Sequence, residues 1–306
     1  MIETKRPRPA VDRALWVGAR AHFDDAAYYT KTYAGRSEDV GFYEKLARQR
    51  RGKVLEYGTG NGRIALPMAR AGCEVVGVDW SRPMLGDFEA QLLKEKPAIQ
   101  RRIRLVEGDM REVELGETFD LVLCTFNTFL HLYTRPDIEA FFEKVRGHLA
   151  PGGQFICDIS LPQPGDLARD PNRAYSAPRF RHPTTGQMVR YAERFDYDAA
   201  RQILFVTMEF SPINGEEPWV VPLAHRQFFP QEIEAHLHYN GFEVVEVKGG
   251  FENEALDRFS DSSVWVARLR EPAAPVKAAK SAPAKAKAPR APTKPAKAPR
   301  AAKPAR

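Results

Sequence analysis

The stretch VLEYGTGNGR, residues 54–63, runs an apolar strand into an acid and then sets glycines at 58, 60 and 62 ahead of a helical segment. Glycine at a strand-to-helix turn admits positive φ and lets the backbone come close to a ligand. Outward from this turn the chain alternates. Short apolar runs at 53–57 (KVLEY), 74–79 (EVVGVD), 103–107 (IRLVE), 119–125 (FDLVLCT) and 153–159 (GQFICDI) read as buried strands. Amphipathic segments of helical length lie between them at 63–72, 82–95 and 137–150. This alternation predicts an α/β domain whose parallel sheet is covered on both faces. Pro67 inside the first helical run predicts a kink or a short first turn.

The alternation stops after Ile159. Residues 161–180 carry four prolines and read as a loop, followed by strand-like runs at 188–198, 201–211 and 219–229. These predict an antiparallel β meander over 178–229, inserted into the α/β unit, with Pro222 marking an edge or a bulge. The parent pattern resumes with a helix at 231–240, Gly241 as its cap, and closing strands at 242–248 and 264–269. The core is thus expected at 51–160 and 230–270 within a domain spanning 21–270. Residues 1–20, basic at Lys5, Arg6 and Arg8 and stiffened by Pro7 and Pro9, read as a flexible arm. Residues 21–50, rich in aromatics among helix formers, predict two short helices.

The formal charge of +6 over 306 residues conceals a split. Residues 271–306 hold seven Lys, three Arg and one Glu among fourteen Ala and eight Pro, which leaves the first 270 residues at −3. That composition supports no core and reads as a disordered basic tail. The high isoelectric point therefore belongs to the tail, and it gives no ground for a nucleic-acid site on the folded body. Three scattered cysteines, Cys73, Cys124 and Cys157, show no zinc spacing and fit a reducing, cytoplasmic compartment. The N-terminus lacks the apolar segment of a secretory signal, and no run is long enough to span a membrane.

Two ligand classes suit the glycine turn. A dinucleotide loop needs G-x-G-x-x-G, but counting from Gly58 puts Arg63 where the third glycine belongs, and Glu56 would repel a pyrophosphate. A ligand bearing cationic groups suits Glu56 better. Asp79 ends the next strand in GVDWS, placed to accept two ribose hydroxyls. EGDM, residues 107–110, ends the third strand with an acid beside a methionine that can pack on a flat ring. An amine-binding, a ribose-binding and an adenine-binding element on three successive strand ends describe S-adenosyl-L-methionine.

In this set the chain resembles the class I S-adenosylmethionine-dependent methyltransferases over residues 21–270. EYGTGNGR resembles motif I of that family, VVGVDWSRPML motif II, EGDM the adenine motif, and LAPGGQFICDI the loop and strand late in the core. Among members, the small-molecule enzymes of the amino-sugar N-methyltransferase kind look nearest. Their segment F-S-S-x-G-H-L corresponds to FNTFLHL at 126–132, and their Y-Y-D-x-x-Y to YYTKTY at 28–33, with Thr30 in place of the acid. The resemblance implies a Rossmann-like seven-stranded, mostly parallel sheet of order 3-2-1-4-5-7-6, the last strand antiparallel. It implies that Glu56, Gly58, Thr59 and Gly60 hold the methionine part of the cofactor and that Arg63 pairs with its carboxylate. Asp79 takes the ribose, while Trp80, Met84 and Met110 pack around the adenine and Asp109 accepts from its amine. Phe126 closes over the methionine end, with Tyr33 as a further contact.

Each assignment has a plainer counterpart. Asp109 is also placed to cap a helix, Trp80 to pack at an edge, Tyr29 and Tyr33 to line a lid or core. His131 reads either as the base acting on the acceptor or as a ring packed beneath the 137–150 helix. His225, His236 and His238 have no metal-spaced partners and read as surface residues, while Arg226 and Gln227 are candidates to face a substrate from the meander. The expected activity is methyl transfer to nitrogen or oxygen of a small-molecule acceptor. Its alternatives are a nucleic-acid or protein methyltransferase that binds polyanions through the tail, and a non-catalytic sensor of the cofactor. The 126–129 segment FNTF lacks the N-P-P-Y pattern of exocyclic base-amine enzymes.

Overall fold

A computed structural model describes residues 12–271. Its main sheet is built from β1 (Lys53–Tyr57), β2 (Glu74–Asp79), β3 (Ile103–Glu107), β4 (Phe119–Cys124) and β5 (Leu149–Ser160). A second sheet follows, of β6 (Tyr175–Arg181), β7 (Met188–Asp198), β8 (Ile203–Pro212) and β9 (Trp219–Arg226). β10 (Phe242–Lys248) and β11 (Ser262–Leu269) return to the first. The seven-stranded order is β10-β11-β5-β4-β1-β2-β3, with β11 antiparallel to both of its neighbours and the other pairs parallel. In order of strands along this sheet that is 3-2-1-4-5-7-6, as the resemblance implied.

Alternation of side chains along the strands fills both faces. On one face Leu55, Val122, Cys124, Phe155 and Cys157 pack against Phe141, Phe142 and Val145 of the helix Arg135–His148 and Ile233 and Leu237 of the helix Pro230–Tyr239. On the other, Val54, Val75, Leu121, Leu123 and Ile156 meet Tyr43, Ala65, Met68, Ala69 and Phe88 from the helices Glu38–Gln49, Ala65–Ala71 and Arg82–Leu92. Pro67 causes no break. It is the third residue of its helix, where the missing N–H has no intrahelical partner to lose.

Two expectations change. Residues 175–181 form β6 rather than loop: β6 is an edge strand and Pro178 falls at the register shift between Ala177 and Phe180, where no ladder bond is needed. Pro222 likewise sits on the opposite edge, β9. The arm expected over 1–20 is ordered from Asp12 onward. Asp12 accepts the amides of Ala14 and Leu15 as an N-cap, and the helix Arg13–Gly18 lies so close to β9 that a Cβ at Gly18 would come within 2.7 Å of that of Ala224. The remainder of the arm and residues 272–306 of the tail lie outside the described residues. All three cysteines are free and buried. Among the described residues no helix is long and apolar enough to cross a membrane.

Candidate functional site

Parallel strands β1, β2, β4 and β5 bring their carboxyl ends to one edge of the sheet, where ligands of open α/β folds bind. Gly58, Gly60 and Gly62 all have positive φ (68°, 54° and 82°), but for different reasons. A Cβ at Gly58 would strike Thr128 at 2.4 Å, and one at Gly62 would strike the Phe88 ring at 2.3 Å, so these two glycines serve close internal packing. At Gly60 a Cβ would meet the end of the flexible Met84 side chain at 3.2 Å and otherwise mostly open space. Gly60 is the position where backbone faces room for a ligand.

Glu56 is only 2% exposed, and its two oxygens accept from Thr59 Oγ1 and Thr125 Oγ1, each at 2.8 Å. Burial pushes its pKa up to about 7 against those two hydroxyls. Glu56 and Thr59 thus clasp one another and tie the glycine turn to the end of β4. Asp79 is 9% exposed; its Oδ2 accepts the Gly60 amide and its Oδ1 the Ser81 amide, both at 2.8 Å. Burial raises it to about 6. Ser81 Oγ in turn donates to the Phe23 carbonyl at 3.2 Å, which latches the N-terminal segment over this strand end.

Trp80 has the Arg20 guanidinium 4.4 Å from its ring centroid and the edge of Phe23 at 6.5 Å. Met84 is buried beside Gly60. Asp109 is held in a fork by Arg111 (Nε to Oδ1 2.9 Å, Nη2 to Oδ2 2.6 Å), and Arg111 reaches on to Asp137 at 2.6 Å. Burial opposes ionisation of Asp109, but the Arg111 contacts outweigh it and its pKa is lowered. Its carboxylate also takes the Arg111 amide, capping a turn rather than a helix. Met110 packs against the core beneath.

At the end of β4, Phe126 and Asn127 both hold positive φ (50° and 67°), a costly conformation for residues with side chains. The Phe126 amide donates to Asp158 Oδ1 at 2.9 Å, and Asn127 exchanges two bonds with Ser160. Asp158, raised to about 6 by burial, also accepts from Tyr43 Oη at 2.6 Å. Arg63 grips Asp39 with both nitrogens (2.8 and 2.5 Å) and lies 4.1 Å over the Phe126 ring. Tyr33 meets Phe126 at 5.0 Å between centroids and Tyr29 at 4.7 Å, so the helix Ala26–Tyr33 roofs this end.

His131 is not beneath the Arg135–His148 helix. Its ring faces His225 at 5.0 Å and Phe23 at 5.4 Å, and its Nδ1 lies 3.2 Å from Tyr133 Oη. Tyr133 spends its proton on the Ala224 carbonyl at 2.9 Å, so His131 Nδ1 must be the donor and Nε2 carries the lone pair. Burial, helped by the nearby His22, lowers its pKa to about 4. His225, expected on the surface, is the partner that sequence reading missed. Arg226 turns away to Glu232 at 2.5 Å, and Gln227 bonds back to the His225 carbonyl. Beside Phe126 and Asn127 opens a cavity of about 770 Å3, closed on its far side by residues 249–262; seven carboxylates line it against one guanidinium, Arg36.

Raised carboxyl pKa values predict a pH signature. Between about pH 4.5 and 7 folded Glu56 holds a proton that its unfolded form has lost, so its share of stability is present at low pH and fades as pH rises through 7. Buried histidines such as His22 and His131, lowered to about 4, act with the opposite sign, so the comparison must be with Glu56→Gln. We expect the stability of the variant to rise relative to the parent by on the order of 3 kcal/mol between pH 4.5 and 8. Chemical denaturation at several pH values measures it, and parallel pH profiles would contradict it.

A methyltransferase domain model matches residues 54–153. Cypemycin N-terminal methyltransferase of Streptomyces sp is 30% identical over 206 residues, covering 66% of this chain and 76% of that protein. Among solved structures, the CcbJ methyltransferase from Streptomyces caelestis matches with a TM-score of 0.69 at 23% identity, over 82% of this chain and 99% of that one. CalS10 with S-adenosylmethionine bound, an amino pentose methyltransferase from Micromonospora echinaspora, matches with a TM-score of 0.58 at 23% identity, over 79% and 96%. The two structures support the fold; the sequence relative, with the ordered strand-end motifs, identifies the lineage. The chain belongs to the S-adenosylmethionine-dependent methyltransferases.

Proposed function

We propose that this enzyme methylates the nitrogen of a small amine in the cytoplasm. The observation that carries the choice of nitrogen is the cavity beside Phe126 and Asn127, whose seven carboxylates against one guanidinium favour a cationic acceptor over a neutral or anionic one. The names of the relatives are mixed: one is an N-terminal methyltransferase and two are glycine/sarcosine N-methyltransferases, while three are ubiquinone biosynthesis O-methyltransferases, so the choice of nitrogen rests on the cavity. The residues present fit the cofactor. Asp79 accepts backbone amides of Gly60, Ser81 and Trp80, and its two oxygens keep lone-pair capacity for ribose hydroxyls, while Gly60 offers the open backbone face beside it.

When bound, S-adenosylmethionine supplies a methyl group already activated by its sulfonium. The chain's own task is alignment and exclusion of water. Asp79 fixes the ribose; Trp80, Met84, Met110 and Asp109 frame the adenine; Gly58, Gly60, Arg63, Tyr33 and Phe126 enclose the methionine end, on a turn shaped by Glu56 and Thr59. His131, which is not among the residues lining the cavity beside Phe126 and Asn127, is assigned the acceptor's amine as the partner for its Nε2 lone pair. The test is transfer of labelled methyl to a panel of primary and secondary amines, matched alcohols, tRNA and protein extract. Label in small amines is expected; label confined to alcohols or macromolecules would overturn the reading.

Polyanion binding is a separate proposal, resting on the ten basic residues of 271–306. A chain ending at Arg270 should keep methyl transfer to small amines and lose salt-sensitive affinity for DNA or RNA in a filter-binding titration. Equal affinity with and without those residues would refute it.

A further inference from the structure

A second cavity, of about 410 Å3, opens between the N-terminal segment and the four-stranded sheet. Its size falls in the range of small-ligand sites. Alternation along β9 puts Trp219, Val221, Leu223 and His225 on one face. His225 stands at the end near His131, and Trp219 and Val221 line this cavity at the other. Two parallel ring pairs build its walls: Tyr28 with His182 (5.1 Å, 2°) and Phe210 with Trp219 (5.2 Å, 5°). Asp24 and Asp25 border it, and no Lys or Arg does. Asp25 caps the Ala26–Tyr33 helix through the Tyr28 amide and accepts from Thr184 Oγ1 at 2.5 Å, so its carboxylate is fixed in place.

His22 also lines the cavity, is 4% exposed, and bonds Tyr33 Oη through Nε2 at 3.1 Å. Its Nδ1 is, among the described residues, the buried side-chain polar atom left without any hydrogen-bond partner. Such an orphan is costly in a folded protein and points to a partner supplied from outside. Burial keeps this imidazole neutral at pH 7, so it contributes a lone pair and not a competing charge.

We infer that this cavity is a binding site for an organic ammonium group, with His22 Nδ1 as its buried hydrogen-bond acceptor, the aromatic pairs as its walls and Asp24 and Asp25 as its counter-charges. Aromatic faces attract a desolvated cation through their quadrupoles, and two carboxylates without a basic neighbour select that sign. An ammonium N–H on Nδ1 fixes the tautomer in which Nε2–H donates to Tyr33. The inference does not depend on which acceptor is methylated.

The test uses the full chain and three probes of one shape: phenethylammonium, 2-phenylethanol and phenylacetate, titrated by calorimetry and saturation-transfer NMR at low salt. The ammonium should bind at least tenfold more tightly than the alcohol, and the carboxylate not measurably. Asp24→Asn with Asp25→Asn, which keeps the capping oxygen, should bring the ammonium down to the level of the alcohol. The same comparison in a Glu252→Gln, Glu254→Gln background, which removes two carboxylates of the cavity proposed for the methyl acceptor, should still show the preference for the ammonium over the alcohol. His22→Asn keeps a polar group near the Nδ1 position and should retain binding; His22→Gln keeps the Tyr33 contact instead and should lose it at an unchanged melting temperature. Equal affinity for the three probes would overturn the inference. So would a preference that survives the Asp24/Asp25 change, one abolished at Glu252/Glu254, or parental binding by His22→Gln. Methylation of the bound probe would make the cavity part of the acceptor site, and binding without methylation would make it a separate site; either outcome supports ammonium recognition.

Discussion

Asp79→Asn should weaken binding of S-adenosylhomocysteine by ten- to a hundredfold while the fold survives. The carboxylate sits at the end of β2, where it accepts the amides of Gly60, Ser81 and Trp80, and burial outweighs them to raise its pKa to about 6. Two ribose hydroxyls would add charge-assisted bonds, each worth about 1.5–3 kcal/mol, and every 1.4 kcal/mol or so is tenfold in affinity. Asparagine keeps the shape but turns one acceptor into a donor facing an amide N–H. The raised pKa adds a second readout. Hydroxyls bind the ionised form, so parental affinity should fall below pH 6 by up to about tenfold per pH unit, whereas the variant should lack that dependence. Calorimetry at pH 7.5 and pH 5 measures both. Affinity in the variant equal to the parent at pH 7.5 would remove Asp79 from the ribose.

Sequence was informative where chemistry and local period coincide. KVLEY and EVVGVD become β1 and β2 with the same bounds because strands buried on both faces read as unbroken apolar runs. Their terminal acids are visible for the same reason: a strand end is a position that the pattern itself marks. β6 was hidden because Pro178 speaks against a strand unless one knows that it lies on an edge and at a bulge. Pairings across long stretches of chain were hidden altogether. Arg63 finds Asp39, Tyr43 finds Asp158, and His131 finds His225, each at a separation that leaves no periodic trace. Strand parity could have recovered one of these. Trp219, Val221 and Leu223 alternate toward the aromatic core of the second sheet, so His225, and not Arg226, shares their face.

His131→Asn should slow turnover by about 10²-fold or more while leaving cofactor affinity and melting temperature nearly intact. Asparagine preserves a donor for Tyr133 Oη, the contact that Nδ1 makes, and removes the Nε2 lone pair. The role of that lone pair follows from its pKa of about 4. An aliphatic ammonium titrates near 10, so taking its proton outright would run roughly six units, or about 8 kcal/mol, uphill. On the proposed function His131 would therefore not be the equilibrium base; an ammonium drawn into the acidic cavity would have to lose its proton to solvent before transfer. In the role proposed for it, Nε2 would accept a bond from an N–H of the amine and point the nitrogen lone pair along the line of transfer. As the new carbon–nitrogen bond forms, positive charge grows on that nitrogen and its remaining N–H becomes a stronger donor. The bond to Nε2 thus tightens most in the transition state, the condition under which an interaction raises kcat and not only binding. A second consequence separates this from base catalysis. The acid limb of the pH–rate profile should follow the ammonium pKa of whichever amine is supplied and should stay in place in the variant, because no ionisation of His131 lies in that range. A profile whose limb vanished with His131 would restore it as the base. Parental turnover in His131→Asn, with a lowered melting temperature, would leave only a packing role between Phe23 and His225.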